Sequence, residues 1–232
     1  MIKHFVSLQY NLTVMAKKKT ITKNNIISMY MDYVLEHNQQ PNTVYAFTKA
    51  NNFEEQKFYD HFGSFDALEK DVFNAFFHNT INVLEKSEDY QTFDARHKLL
   101  SFYFTFFENL TANRSYVKYA LDRHKNSLKG LSLLSELKGA FTNYIEHLGI
   151  ELIEIKQEQI DRIQRRGLKE SAWLQLLLTM KFWIDDTSAG FEKTDIFIEK
   201  SVNTSFDVLD IAPLKSLIDF GKFIFKEKIH MN

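Results

Sequence analysis

No cysteine occurs anywhere in the 232 residues. That excludes a disulfide framework, cysteine-ligated zinc and thiol catalysis, and it is the usage expected of a reducing compartment, the cytoplasm by default. Only two prolines (Pro41 and Pro213) and seven glycines punctuate the chain, too few for many short strands joined by tight turns. No uninterrupted apolar run reaches the roughly 18 residues that a membrane-spanning helix needs. At the N-terminus the basic cluster follows the apolar stretch instead of preceding it, and no small-residue cleavage site is present, so the segment does not read as a signal peptide. Met15 reads as the natural start, with residues 1–19 a flexible extension bearing the basic arm Lys17, Lys18 and Lys19.

Catalytic signatures are missing too. The chain has no GxSxG, no HExxH and no phosphate-cradling glycine loop. Its eight histidines are scattered. His78, His97, His124 and His147 lack a second ligand at the helical spacing that makes a metal site specific. The chain is therefore not expected to be an enzyme, and no catalytic residue, metal site or cofactor is assigned.

What is present is an all-α pattern: 44% hydrophobic residues, repeating over long stretches at spacings of three and four. Ile26, Met29, Tyr30, Tyr33 and Val34 form one face of a first helix, which must stop before Pro41. Thr43 caps a short second helix ending at Asn51 and Asn52, residues that tolerate a left-handed turn. A third helix, expected over 54–61, turns Phe58 and Phe62 inward and Lys57, Tyr59, Asp60 and His61 outward. Gly63 ends it, and Ser64 caps a long helix running to about Lys86. Further helices are expected near 94–110, 114–124, 128–148, 150–165, 169–185, 194–210 and 214–228.

Three short helices followed by a long one resemble the TetR-like regulators, which pair a helix-turn-helix head with a helical ligand-binding and dimerisation domain. The resemblance is carried over 22–75 by Ile26, Thr43, Phe47, Ala50, the stretch FYDHF and the stretch FGSFDAL. It implies a head at 20–68, a helical-bundle domain at 69–232, and binding of a palindromic DNA operator by a homodimer. It also implies that Thr43 sits near a phosphate and that Tyr59 and His61 touch the DNA backbone. Lys57 and the arm Lys17, Lys18 and Lys19 are the further DNA-binding candidates.

The head departs from the family at three places. Asn52 stands for a turn glycine, Glu54 for a serine or threonine opening the third helix, and Phe65 for a phosphate-binding lysine. Residues 20–73 hold four lysines against eight acids, where a DNA reader is expected to show a basic face. Glu54 and Glu55 also have a purely local role, since acids near a helix N-terminus stabilise it by about 0.3–1 kcal/mol.

In the second domain LLSFYFTFFENL is aromatic on more than one side. It is either a plain aromatic core or the wall of an apolar ligand pocket. The resemblance implies the pocket, with Phe76, Phe77, Phe102, Phe106, Trp173, Phe182 and Trp183 as its candidates and a small hydrophobic molecule as its ligand. The two late helices carry surplus apolar surface, which the resemblance assigns to the homodimer. Between them DDTSAGF is similar to a stretch of the ubiquinone-biosynthesis lipid-binding proteins that share the fold without binding DNA. A lipid- or isoprenoid-binding accessory protein is therefore the alternative function. In the simpler reading of that loop, Asp186 and Ser188 bond nearby backbone.

Overall fold

A computed structural model of the chain describes residues 20–123, 132–152 and 158–210, together with Phe220. All the regular elements in this part of the chain are helical. Helix α1 (Lys23–His37) begins with a reciprocal capping box: the Asn25 amide donates to the Thr22 hydroxyl, and the Thr22 amide donates to the Asn25 side chain. It ends at Asn38, whose φ of 50° is left-handed, just ahead of buried Pro41. Helix α2 (Val44–Ala50) is capped by Thr43, whose hydroxyl accepts from the Ala46 amide at 3.0 Å. The turn into α3 (Glu55–Tyr59) places its positive φ of 57° on Asn52.

Helix α3 stops two residues before its expected end at His61. Beyond it, the amides of His61 and Phe62 both donate to the Phe58 carbonyl, at 3.0 and 2.8 Å. That closing turn brings the Phe62 ring within 5.8 Å of Phe58, and both rings are buried. The head core is aromatic. Phe47 meets Tyr30, Phe58 and Phe65 edge to face at 5.7–6.2 Å, and Phe65 stacks on Tyr30 at 5.4 Å.

Helix α4 (Phe65–Leu84), capped by Ser64, leaves the head and enters the bundle. There follow a short α5 (Glu88–Thr92) that periodicity did not reveal, then α6 (Ala95–Ala112), α7 (Arg114–Arg123), α8 (Ser135–His147), α9 (Glu158–Asp185) and α10 (Glu192–Asp210). Helix α4 packs against α6 and α8, α6 against α10, α8 against α9, and α9 against α10, while α1 rests on α7. The buried apolar residues form one cluster from Ile26 to Val202.

The break expected between 165 and 169 is absent, and α9 runs through Gly167 without interruption. A helical glycine costs about 1 kcal/mol. Against that, Arg162 and Arg165 pair one turn back with Glu158 and Asp161, and Ala172, Trp173, Leu176, Met180 and Trp183 bury one face of the same helix. The helix expected at 128–148 is seen as α8, with 124–131 outside the described residues. The extension 1–19 lies outside them as well, and so does the helix expected at 214–228 apart from Phe220.

Two polar knots fix the helices. At the head, Glu69 on α4 is only 3% exposed. It accepts the Tyr30 hydroxyl at 2.5 Å and the Arg123 guanidinium at 2.8 Å. At the far end, buried Asp186 accepts from the amides and hydroxyls of both Ser188 and Thr194, at 2.7–3.0 Å. The Arg114 guanidinium lies over the Trp183 and Phe191 rings at 4.5 and 4.6 Å and donates to the carbonyls of Trp183 and Ile184, which terminate α9.

The hydroxyls of Ser188 and Thr194 hold the Asp186 carboxyl well below the usual carboxylate range. A depressed folded-state pKa gives stability that is present above the unfolded value of about 4 and is lost as pH falls toward the folded value. Asp186→Asn is therefore expected to lower the urea midpoint at pH 7, with the gap to wild type narrowing below about pH 4. An equal gap at pH 7 and pH 3 contradicts this account.

Candidate nucleic-acid interface and ligand site

Because Phe58 and Phe62 turn into the core, Lys57, Tyr59, Asp60 and His61 are left on the exposed side of the head. Lys57 and His61 share a cleft of about 890 Å³ with Ile21, Lys49, Glu54 and Asp60. Tyr59, 52% exposed, is not among the residues lining that cleft. Thr43 is exposed at the start of α2, with its hydroxyl already engaged in the cap. Lys17, Lys18 and Lys19 lie outside the described residues. The sequence reading passed over Tyr45 and Lys49, one turn apart on the exposed side of α2, where the ammonium lies 5.5 Å from the centre of the exposed phenol ring. Their i, i+4 spacing was the available signal.

Acids of the head engage Lys57 and Lys23. Asp60 bonds Lys57 at 2.8 Å and raises its pKa, first through that hydrogen bond and then through its charge, with Glu54 adding to the effect. Lys23 pairs with Asp71 at 2.8 Å. Such exposed pairs contribute little stability, but they offset positive charge that a phosphate would otherwise meet. Glu54 stands at the N-cap of α3 without a side-chain capping bond, and Glu55 follows in the first turn. Phe65, in place of the family's lysine, belongs to the aromatic core of the head through Tyr30, Phe47 and Phe58.

In the bundle, Phe76, Phe77, Phe102, Phe106, Trp173 and Trp183 are all buried. Phe102 lies at the centre of the group, 5.4–5.5 Å from Phe106 and Phe77, 5.3 Å from Phe141 and 5.0 Å from Tyr144. These are ordinary contact distances between packed rings. Phe182 stands apart from the six: it is 36% exposed and stacks on Phe197 of α10 at 4.6 Å. Of the segment LLSFYFTFFENL, Phe104 is exposed, on the opposite side of α6 from the buried Phe102 and Phe106.

A cleft of about 280 Å³ opens between α6, α8, α9 and α10, lined by Leu99, Ile145, Leu168 and Phe206. Gln175 and Ser205 supply its polar side, and they are bonded to each other at 3.0 Å. On the outer surface of α9 and α10, a groove of about 560 Å³ is lined by Phe182, Ile196, Phe197, Lys193 and Lys200. Leu178 and Leu174, one and two turns before Phe182, are more than half exposed.

The DDTSAGF loop is tied down by its own chemistry. Besides the Asp186 bonds, Gly190 and Phe191 both adopt a φ of 62°. Of the histidines singled out from sequence, His97 is bonded to Asp94, His147 to the Asn143 carbonyl, and His78 packs on Phe77, while His124 lies outside the described residues. Among the described residues, no helix is long and apolar enough to cross a membrane.

The sequence model described as "Tetracyclin repressor-like, C-terminal domain" matches residues 98–224. Comparison with curated proteins gives no match.

The place of Phe65 in the head core can be tested directly. Phe65→Lys, which installs the family's residue, is expected to lower unfolding free energy by about 2–4 kcal/mol, while Phe65→Leu costs about half as much. Denaturant melts provide the measurement, and a lysine variant as stable as wild type excludes Phe65 from that core.

Proposed function

The chain belongs to the tetracyclin repressor-like family, and from that premise we propose that it is a ligand-responsive transcriptional regulator that binds a palindromic operator as a homodimer. The observation that carries this reading is the arrangement of the head, where three short helices present an exposed α3 and α4 links them to the matched domain. On this reading Lys57, Tyr59 and His61 contact DNA together with Thr43 at the start of α2, joined by Tyr45, Lys49 and the arm Lys17, Lys18 and Lys19. Glu54, Glu55 and Asp60 weaken the phosphate contacts, so affinity for DNA is modest and strongly dependent on salt.

The apolar strip Leu174, Leu178, Phe182 and Ile196 fits a four-helix contact between two copies of α9 and α10. A small apolar ligand with a polar end fits the cleft between α6 and α10, where Gln175 and Ser205 meet Leu99 and Phe206. Half-sites must lie about 34–36 Å apart for both heads to dock, so a ligand that tilts α4 breaks the match. The lipid-binding accessory reading is weaker, because the Asp186, Ser188 and Thr194 groups of its motivating loop are used in holding α9 to α10.

The test is titration of DNA fragments from around the protein's own gene at about 50 mM salt, where phosphate contacts are strongest. A specific, salt-sensitive shift is expected, and no specific binding at that salt sinks the regulator reading. Replacing Glu54 with Ser and Glu55 with Gln together should strengthen binding, on the order of tenfold, by removing two charges that oppose phosphate. Leu178→Asp is expected to convert the dimer to monomer in native mass spectrometry. A dimer that persists places the interface elsewhere.

A further inference from the structure

Buried polar groups are almost always hydrogen-bonded, and Tyr103, in the middle of α6, is an exception. Its side chain is fully buried, and its hydroxyl has no hydrogen-bond partner among the described residues. The ring stacks on Phe107 at 6.1 Å and meets Phe102 and Phe141 edge to face at 6.0 and 6.3 Å, so its packed ring neighbours offer no acceptor. An idle buried hydroxyl lowers stability where a phenylalanine of the same shape would not. Burial raises the Tyr103 pKa above the ordinary phenol value, which leaves the group a protonated donor.

The cleft between α6, α8, α9 and α10 lies one turn away. Leu99 and Ile145 line it, and Tyr103 and Phe141 stand one turn further in on the same two helices. The Phe141 ring, 6.3 Å from Tyr103, is also 6.5 Å from Trp173, the neighbour of cleft-lining Ala172. Height in the bundle agrees. Arg96 near the start of α6 bonds Asp207 near the end of α10 at 2.8 Å, so α6 runs against α10 and with α9. Trp183 on α9 bonds Thr111 on α6 at 3.0 Å; Gln175 and Tyr103, each two turns before, therefore stand at about the same level. Helical side chains lean toward the N-terminus of their helix, which carries the phenol from Tyr103 toward Leu99 and the cleft.

Gln175 and Ser205 in the cleft already satisfy each other at 3.0 Å, and the described side chains lining it are all uncharged. An ionised ligand group would be buried there without a counter-charge, at high cost. We infer that Tyr103 is the inner anchor of this cleft, its hydroxyl donating to the carbonyl oxygen of an uncharged, ketone- or ester-like apolar ligand that enters past Leu99 and Phe206. Such a ligand supplies the bond that the hydroxyl lacks. The inference rests on the reading of the cleft as the ligand site, and it narrows the polar end of that ligand to an acceptor without charge.

The probe is methyl hexyl ketone with a labelled carbonyl carbon, and the control is its analogue in which a methylene group replaces the oxygen. The full-length wild type is expected to bind the ketone saturably, with a downfield shift of the carbonyl resonance. Tyr103→Phe should bind the ketone about tenfold more weakly, without that shift, while the methylene analogue binds the two proteins alike. With no ligand added, Tyr103→Phe should melt above wild type, because it deletes an oxygen that has no partner. Leu168→Trp, which fills the cleft, separates the two readings. Ketone affinity equal in wild type and Tyr103→Phe but lost in Leu168→Trp overturns the anchor and leaves the cleft as the ligand site. No binding to wild type, or binding that persists in Leu168→Trp, overturns both. A Tyr103→Phe protein that melts below wild type also overturns the anchor, since the hydroxyl would then be bonded already.

Discussion

A carboxylate taken out of water must be paired, and in this protein the pairing of Glu69 joins parts of the chain that nothing in their local sequence brings together. Tyr30 lies 39 residues before it and Arg123 lies 54 residues after it. Removing one partner from such a buried charge typically costs about 3–5 kcal/mol, so the angle between head and bundle is specified by directional bonds as well as by apolar contact. An apolar cluster can slide with little penalty; a carboxylate with two aimed donors cannot. The exposed side of α3 has a separate, local cause, the inward packing of Phe58 and Phe62.

The opposite end of the bundle is fixed by the same kind of chemistry applied to helix ends. The last carbonyls of α9 lack intrahelical donors, and Arg114 supplies them while its flat guanidinium is covered by Trp183 and Phe191. Asp186 then accepts the Thr194 amide in the first turn of α10. With both ends of this turn satisfied, α9 and α10 form a fixed hairpin, and its outer face keeps Leu174, Leu178, Phe182 and Ile196 exposed.

Much of the architecture was legible because it is local. Thr43, Ser64, Asn52 and Pro41 act within a few residues of themselves, and each was found at the helix start, turn or helix stop that its side chain dictates. The inward turn of Phe58 and Phe62 followed from their spacing. The errors are equally physical. Separate helices were expected at 150–165 and 169–185, and the buried face that carries α9 unbroken through Gly167 is set by packing partners that the sequence does not show. Phe65 was noted only as a missing cation, since its three aromatic partners come from three different helices.

Phe182 illustrates the same limit, because an aromatic residue beside Trp183 on one helix is exposed while Trp183 is fully buried, and only the packing partner decides which. The sequence by itself determined the helical class, the helix ends of the head, the acid excess of residues 20–73 and the aromatic stock of the bundle. These depend on backbone preference, spacing and composition. Only the tertiary structure decided which charges are paired and which rings fill the core. Those outcomes depend on distances between residues far apart in the chain, and helical periodicity carries no information about them.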